Sequence, residues 1–442
     1  MNRFEANVEA FPAESLAAWA TDARDRVLAL VDDLDDEQVM GPQLVTTNPL
    51  IWEIGHVTWF QENFVLRRFA GEAPYRPEVD SLYDSIAIPH EVRWDLPLFS
   101  REDTLAYLEN VRGRIQDLIR NRKLNGEETY LLLFSIYHED MHAEAFTYTR
   151  QTLGYAPPNF MQRSSVPGKP GTPPNDEVEI RGGRFVLGAR ADAPYAFDNE
   201  HVAHPVVVAP FAIDRDAVSQ GDFLRFVDAG GYENRECWSE AGWNWRKSEN
   251  ATQPHYWRRE DDRHWSRRWF DAWSPLDPAA AMTNVNWFEA NAYCAWARRR
   301  LPTEAEWEMA ASAEPGNAAD GMPPKRAYPW GNDRHDRAPA NLDWRNCGGA
   351  AADAYPAGES AVGCRQMLGD SWEWTSTDFQ PFAGFEPGPY REYSAPLFGA
   401  TKVLRGGCWA TRSRLINNTH RNYYGPDRRD VWAGFRTCRT LT

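Results

Sequence analysis

Residues 131–142 have the sequence Leu131-Leu132-Leu133-Phe134-Ser135-Ile136-Tyr137-His138-Glu139-Asp140-Met141-His142. The two histidines are four residues apart, so on an α-helix they lie on one face, one turn from each other. The apolar residues before them predict a buried helix, in which an imidazole without a partner would be costly. The stretch therefore predicts a core helix of a bundle that presents a two-histidine metal clamp to the interior.

A third imidazole comes from His56, which lies in the similarly apolar segment Leu50-Ile51-Trp52-Glu53-Ile54-Gly55-His56-Val57. Three neutral imidazoles suit Fe, Zn, Cu or Ni and leave coordination positions for water, substrate or dioxygen. Spacing alone does not separate iron from zinc. Glu144 follows His142 by two residues and points to another face of the helix, so we expect it beside the ligands or in solvent.

The N-terminal part of the chain has the apolar periodicity of helices from residue 13 to about residue 155. Helices are predicted over residues 16–34, 50–69, 104–119 and 127–153. Asn48 and Pro49 are interpreted as the N-cap and first residue of the second helix. Gly154 and the prolines after it end the fourth helix. Four helices around an inward-facing metal site make a four-helix bundle.

The amino-acid composition of the chain changes after this region. Residues 157–177 are predicted to be a linker, because prolines, glycines and serines are concentrated there. From residue 178 onward, short β-like segments alternate with loops rich in Gly, Asp, Asn and Trp. Helical segments are predicted over residues 219–229, 287–300 and 303–312. The predicted domains are therefore a bundle over residues 1–156 and an α+β domain over residues 178–442.

Composition limits the class of protein. The 442 residues carry a net charge of −16 and no basic block, which argues against a nucleic-acid partner. No apolar run approaches a membrane span and the N-terminus has no apolar signal region, so a soluble cytoplasmic protein is predicted. The six cysteines are scattered, which favours reduced and mostly buried thiols. Most of the 20 tryptophans follow residue 237, which suggests rings that cover irregular backbone.

Seven ordered motifs cover most of residues 178–442. They are Arg181-Gly182-Gly183-Arg184-Phe185, Asn286-Trp287 with Ala292-Tyr293-Cys294, Arg300-Leu301-Pro302-Thr303-Glu304-Ala305-Glu306-Trp307-Glu308, Tyr328-Pro329-Trp330-Gly331, Gly369-Asp370-Ser371-Trp372-Glu373-Trp374-Thr375, Leu404-Arg405-Gly406-Gly407-Cys408-Trp409 and Gly434-Phe435-Arg436. This half resembles the C-type-lectin-like domain of formylglycine-generating enzymes, and the N-terminal half resembles a DinB-like bundle. Together they resemble the ergothioneine/selenoneine synthase family (EgtB-like or SenA-like). The resemblance implies a multidomain α and α+β fold.

The resemblance also implies a chemistry. In that family, a mononuclear non-haem Fe(II) site activates O2, and C2 of the histidine betaine hercynine is joined to the sulfur of a thiol or the selenium of a selenosugar. The match places the metal ligands at His56, His138 and His142. Formylglycine-generating enzymes use a copper-binding cysteine pair, and those places hold Thr411 and Ile416 here, which argues against that activity.

Residues 421–429 resemble the family's substrate loop. By that match, Asn422 holds the betaine carboxylate region, Tyr423 supplies an aromatic face, and Tyr424 and Arg428 complete the predicted contacts. The trimethylammonium group of hercynine prefers such aromatic faces. The family's catalytic tyrosine is left unassigned between three candidates, which are Tyr390, Tyr393 and Tyr424.

Three departures from the family pattern concern the sulfur or selenium donor. Tyr424 stands where members that use γ-glutamylcysteine carry an aspartate, and Met141 stands where a glutamine contacts hercynine in those members. The arginine cluster expected for a γ-glutamyl carboxylate is reduced to Arg93, with His90 nearby. Fewer cationic contacts favour a selenosugar, with C–Se bond formation ahead of C–S bond formation.

Three alternatives remain at this point. One is an ergothioneine-type sulfoxide synthase that uses cysteine or γ-glutamylcysteine. Another is a zinc hydrolase in which Glu139 acts as base, because His138-Glu139 and His142 fit the His-Glu-x-x-His pattern. The last is a binding protein whose metal has a structural role.

Overall fold

A computed structural model describes residues 4–161, 176–262, 264–316, 322–335 and 337–441. Of the predicted linker over residues 157–177, residues 162–175 lie outside this described part. The chain divides into two compact units. The first consists of Met1–Phe160 with Asp192–Ala196 and Pro387–Tyr393, and the second consists of Met161–Ala191, Phe197–Glu386 and Ser394–Thr442.

The first unit is helical. Its helices are α1 (Ala13–Ala29), α2 (Asp36–Met40), α3 (Leu50–Gln61), α4 (Arg68–Ala70), α5 (Val79–Tyr83), α6 (Arg101–Asn121) and α7 (Gly126–Leu153). A π-helical stretch, Glu62–Arg67, joins α3 to α4. Both α1 and α3 pack against α6 and α7, which makes the four-helix arrangement. The four predicted long helices are confirmed.

The ends of these helices follow local chemistry. Asn125 caps α7 by accepting from the Glu128 amide, and Gly154 ends it with a left-handed φ of 69°. The predicted start of α3 is wrong by one residue, because Pro49 is the cap residue and Leu50 the first helical residue. Pro49 has an extended ψ of 128°, and the Asn48 side chain donates to Glu53 Oε1 at 2.8 Å instead of capping the helix.

The two helices that carry the three histidines, α3 and α7, are the most buried part of this unit. Every residue of α3 is buried, and so is the run of α7 from Glu128 to Asp140. Burial of each leucine in the Leu131–Leu133 run contributes about 1.5–3 kcal/mol relative to exposure. The prediction of a core helix over residues 131–142 is confirmed, apart from half-exposed Met141 and His142.

The second unit mixes short strands with helices. Its strands are β1 (Glu177–Ile180), β2 (Gly183–Leu187), β3 (His204–Val208), β4 (Phe211–Asp214), β5 (Trp257–Arg259), β6 (Trp265–Trp269), β7 (Ala272–Pro275), β8 (Trp372–Asp378), β9 (Lys402–Arg405), β10 (Asn422–Tyr424), β11 (Ala433–Gly434) and β12 (Cys438–Thr440). The sheets have the orders β1-β4-β12, β10-β9-β8-β11, β2-β3 and β5-β6-β7. Only the β8–β11 pair among these is parallel.

Four helices of the second unit lie in the described residues. They are α8 (Gln220–Asp228), α9 (Glu240–Ser248), α10 (Trp287–Trp296) and α11 (Glu304–Ser312). Three of them were predicted and α9 was not. Only Gly242 of α9 is buried, so this helix contributes little apolar surface to the core. The chain therefore has a multidomain α and α+β fold.

The core of the second unit combines tryptophans with buried ion pairs. Trp307, Trp374, Trp409 and Trp432 are among its largest fully buried side chains. Trp374 Nε1 donates to the Val285 carbonyl at 2.9 Å, which satisfies irregular backbone as predicted for the tryptophan-rich half. The guanidinium of Arg436 donates to Glu373 at 2.7 Å. All six cysteines are buried. None of the described helices is long and apolar enough to cross a membrane.

Candidate metal centre

The three predicted histidines come together inside the first unit. His56 lies on α3, and His138 and His142 lie one turn apart on α7. Their ring centroids are 4.5–5.1 Å apart. One nitrogen of each lies within 4.8 Å of those of the other two, a spacing that a single metal ion could bridge. The packing of α3 against α7 thus builds the cluster.

Hydrogen bonds set which ring nitrogen is available on two of these histidines. His56 Nδ1 lies 2.8 Å from the Tyr83 carbonyl oxygen, and His142 Nδ1 lies 3.3 Å from Glu53 Oε2. Both oxygens can only accept, so each Nδ1 carries the proton. Nε2 of both rings therefore keeps its lone pair for a metal, as is usual for ligating histidines.

Aromatic packing and burial keep His56 and His138 neutral. The Trp52 ring stacks on His56 at 4.9 Å, and the Phe60 ring stacks on His138 at 3.8 Å. Burial lowers the pKa of His56 and of His138 well below the ordinary 6.5, and the neighbouring His142 lowers both further. Neutral imidazoles are metal ligands, so the donor set fits an ion such as Fe(II), Zn(II), Cu(II) or Ni(II).

Glu139 forms an ion pair with Arg24. Its Oε1 lies 3.0 Å from Arg24 Nε, and both side chains are almost completely buried. Arg24 also donates to Thr58 Oγ1 at 2.6 Å and to Gln61 Oε1 at 3.0 Å. Among the described residues, the group that could hold a metal contains neither Glu139 nor Glu144. The ion pair with Arg24 argues against Glu139 as the base of a zinc hydrolase.

Two of the three candidate tyrosines belong to the same unit as the histidines. The Tyr390 ring is 6.4 Å from the His138 ring, and its hydroxyl lies 3.3 Å from Ser85 Oγ. The Tyr393 hydroxyl lies 3.7 Å from the sulfur of Met141. Burial raises the pKa of Tyr390, so this phenol stays protonated at neutral pH. Tyr390 and Tyr393 therefore flank the centre.

Arg93 lies close to the centre and makes contacts within the protein. It is 9% exposed, and its guanidinium stacks on the Trp52 ring at 3.9 Å. One terminal nitrogen donates to Asn48 Oδ1 at 2.7 Å. The other donates to the carbonyl oxygens of Ser85 and Ile88 at 3.2 Å. Both terminal nitrogens thus already have acceptors.

The predicted substrate loop lies in the second unit. Asn422, Tyr423 and Tyr424 form β10, which pairs with β9 in antiparallel register. Tyr423 stacks on Phe379 at 4.0 Å. Arg428 forms an ion pair with Asp430 at 2.6 Å and lies over the Tyr424 ring. All four side chains are partly exposed, and their contacts with hercynine stay predictions.

Sequence reasoning did not assign the groups that surround the histidines. Glu53, Trp52 and Phe60 were not singled out, and Asn48 was interpreted only as a helix cap, although each lies beside one of the histidines or beside its neighbour. One signal was available, because Glu53 interrupts the apolar run 50–57 and a buried carboxylate needs a partner.

Each half of the chain matches a known protein family. The model of the DinB superfamily matches residues 20–146, and that of the sulfatase-modifying factor enzyme 1-like domain matches residues 162–441. The hercynine oxygenase of Mycolicibacterium thermoresistibile is 37% identical over 429 residues, which are 95% of this chain and 94% of the relative. The chain belongs to the hercynine oxygenase family.

A second relative gives the same result. The hercynine oxygenase of Mycobacterium tuberculosis is 36% identical over 427 residues, which are 96% of this chain and 98% of the relative. Among solved structures, PvdO from Pseudomonas aeruginosa is 20% identical with a TM-score of 0.39, over 60% of this chain and 94% of PvdO. The two hercynine oxygenases confirm the family resemblance inferred from the motifs.

Proposed function

We propose that this protein is an O2-dependent mononuclear non-haem iron(II) enzyme that joins selenium or sulfur to C2 of the hercynine imidazole. The observation that carries the proposal is the cluster of buried His56 and His138 with partly exposed His142 in a member of the hercynine oxygenase family. We expect the reaction to take place in the cytoplasm. Bond formation between C2–H and a selenol or thiol removes two electrons and two protons, which O2 accepts.

The residues of the first unit have separable roles in this proposal. His56, His138 and His142 would hold the iron, which when bound supplies O2 activation and binding of the donor. Three protein ligands leave coordination positions for both O2 and the donor. Trp52 and Phe60 cover two of the imidazoles, which keeps water from those faces.

A tyrosine beside the centre is proposed to handle a proton. Tyr390 is the stronger candidate, because its ring lies against Phe60 and near His138 and its raised pKa keeps the phenol protonated. A protonated phenol can donate its proton to a reacting atom. In this structure the Tyr390 hydroxyl lies within hydrogen-bond distance of Ser85 Oγ. Tyr393 and Tyr424 are the alternatives.

Hercynine recognition is assigned to the second unit. Asn422 is proposed to bind the carboxylate region of hercynine through its side-chain amide. Tyr423 and Tyr424 are proposed to face the trimethylammonium group, since a quaternary ammonium ion is attracted to aromatic faces. Arg428 is proposed to position Tyr424, over whose ring its guanidinium lies.

The proposed donor is a selenosugar. Arg93 uses both terminal nitrogens on protein oxygens, which leaves it poorly placed to pair with a γ-glutamyl carboxylate. Met141 supplies a thioether where a glutamine amide is expected, and this removes a further polar contact. A neutral sugar needs neither a guanidinium partner nor this amide contact. Cysteine and γ-glutamylcysteine are the alternative donors.

Oxygen consumption with a donor panel tests the proposal. The protein is loaded anaerobically with Fe(II), mixed with hercynine and one donor, and exposed to O2. We expect O2 uptake and a C2-substituted product by mass spectrometry, fastest with the selenosugar. His138→Ala should abolish both signals while retaining the fold. Absence of O2 uptake with every donor would contradict the activity, and preference for a thiol would contradict the donor only.

A further inference from the structure

The geometry points to a positioning device beside the metal ligands. We infer that Glu53, Asn48 and Arg93 form a hydrogen-bonded chain, here called the Glu53 relay, that fixes the tautomer and orientation of His142. Through this the relay raises the affinity of the centre for its metal. The inference rests on the proposed function only in requiring that the three histidines bind a metal ion.

The first link joins the relay to the ligand. Glu53 Oε2 lies 3.3 Å from His142 Nδ1, and the Glu53 side chain is 4% exposed. A carboxylate only accepts hydrogen bonds, so it selects the His142 tautomer with the proton on Nδ1. A carboxylate in this place also makes the imidazole a stronger donor to a metal.

The second link fixes the direction of every hydrogen bond. Asn48 donates from Nδ2 to Glu53 Oε1 at 2.8 Å and accepts at Oδ1 from Arg93 at 2.7 Å. A guanidinium only donates and a carboxylate only accepts, so the amide of Asn48 has one orientation that satisfies both neighbours. The chain Arg93 to Asn48 to Glu53 to His142 therefore has a single consistent pattern.

Arg93 also supports a second ligand. Its guanidinium lies 3.9 Å from the Trp52 ring, which in turn stacks on His56 at 4.9 Å. Trp52 is held by a hydrogen bond from its Nε1 to the Leu82 carbonyl at 2.8 Å. One buried cation thus braces His56 by stacking and His142 through the relay, and its charge compensates the buried Glu53 carboxylate. In this assignment Arg93 is a positioning residue and does not touch substrate.

Substitution of Glu53 by glutamine makes the pattern inconsistent. If the new amide oxygen faces Asn48, its NH2 meets the Nδ1 proton of His142 and favours the wrong tautomer. If the amide is turned round, two NH2 groups meet at Asn48. We expect Glu53→Gln to weaken Fe(II) binding by about 10- to 100-fold, the usual effect of losing such a partner.

A second substitution should restore the pattern. With Asn48→Asp added to Glu53→Gln, the introduced aspartate accepts from both Arg93 and the introduced amide, whose oxygen again accepts from His142. The double variant should therefore bind metal more tightly than Glu53→Gln. Asn48→Asp alone places two carboxylates side by side and should weaken binding. This reciprocal rescue would not arise if Glu53 only filled space.

The readouts are the Fe(II) dissociation constant and the visible absorption of the Co(II)-substituted protein, both measured without hercynine or O2. Glu62→Gln is the matched control, because Glu62 is equally buried in the adjoining π-helical stretch and bonds to Tyr107 and Arg114. It should leave the metal affinity unchanged. Circular dichroism verifies that each variant is folded.

Two results would overturn the relay. One is a folded Glu53→Gln variant with unchanged Fe(II) affinity and Co(II) spectrum, and the other is a double variant no tighter than Glu53→Gln. If Glu53→Gln does not fold, Asn48→Ala takes its place, and unchanged affinity in that variant overturns the relay equally. A protein that shows the rescue and yet consumes no O2 would contradict the proposed function alone.

Discussion

At the residue scale, the chemistry of the centre depends on which atom each imidazole presents. The Tyr83 carbonyl and the Glu53 carboxylate each occupy an Nδ1, which leaves Nε2 of His56 and His142 for a metal. This orientation comes from neighbours on other segments, so the spacing of His138 and His142 could not predict it. The spacing predicted only that two imidazoles share a face.

Tyr390→Phe tests the proposed proton group. Loss of the hydroxyl should lower kcat by about 100-fold, in the usual range for a general acid or base, with little change in the KM for hercynine. The Fe(II) affinity should not change. Tyr393→Phe serves as the matched control. Normal turnover in Tyr390→Phe combined with a loss in Tyr393→Phe or Tyr424→Phe would move the role to another candidate.

Asp370 should make stability depend on pH in the second unit. Burial raises the pKa of its carboxyl from 3.8 to about 7, opposed in part by a hydrogen bond from Asn341. A raised pKa means that the folded state prefers the protonated acid, so this stabilisation is complete below about pH 4 and is lost as the pH rises through 7. Asp370→Asn has no charge to bury.

Denaturant unfolding at pH 5, 6, 7 and 8 measures this effect. The free energy of unfolding of the wild type should fall relative to that of Asp370→Asn as the pH rises. A difference between the two proteins that is the same at all four values would show that Asp370 does not titrate in this range.

At the element scale, the close approach of α3 and α5 builds one side of the centre. A Cβ on Gly55 would lie 2.1 Å from the Tyr83 ring, and Tyr83 supplies the carbonyl that orients His56. Glycine is required here by the neighbouring ring, since its own backbone is helical. The contact between the two helices therefore links packing to ligand geometry.

Gly55→Ala tests that link. The added methyl group must displace the buried Tyr83 ring, so we expect a loss of about 1–3 kcal/mol in the free energy of unfolding. Metal binding should weaken as well. Gly113→Ala on α6 is the control, because a Cβ there meets nothing within 4 Å, and it should be neutral or stabilising. Thermal unfolding is measured with and without Fe(II). Equal stability and equal Fe(II) response in the two variants would contradict the link between this helix contact and metal binding.

At the scale of the whole molecule, the sequence predicted the long helices and the clustering of the three histidines better than it predicted their surroundings. Apolar patterning located all four long helices, because α1 and α6 bury an apolar face while α3 and most of α7 are apolar and buried on all sides. Residues 387–393 belong to the bundle unit although they follow α7 by more than 200 residues. No local pattern signals such a long-range return, so only the family resemblance made Tyr390 a candidate, without choosing it over Tyr393 and Tyr424.

The second unit was predictable by a different route. Its ordered motifs indicated a formylglycine-generating-enzyme-like fold, and the family match over residues 162–441 confirms it. Periodicity missed α9 and the β5–β7 sheet, because only Gly242 of α9 is buried and the first three residues of β6 are all buried and do not alternate. Short strands in a unit stabilised by tryptophans and buried ion pairs leave little periodic signal.

The central claim is that the histidine centre oxidises C2 of hercynine. Hercynine deuterated at C2 tests it most directly, with mass spectrometry of substrate and product after reaction of the Fe(II)-loaded protein with donor and O2. We expect one deuterium to be lost for each donor joined, and neither event in His138→Ala or without O2. A product that retains the C2 deuterium, or loss of deuterium that needs neither O2 nor His138, would contradict it.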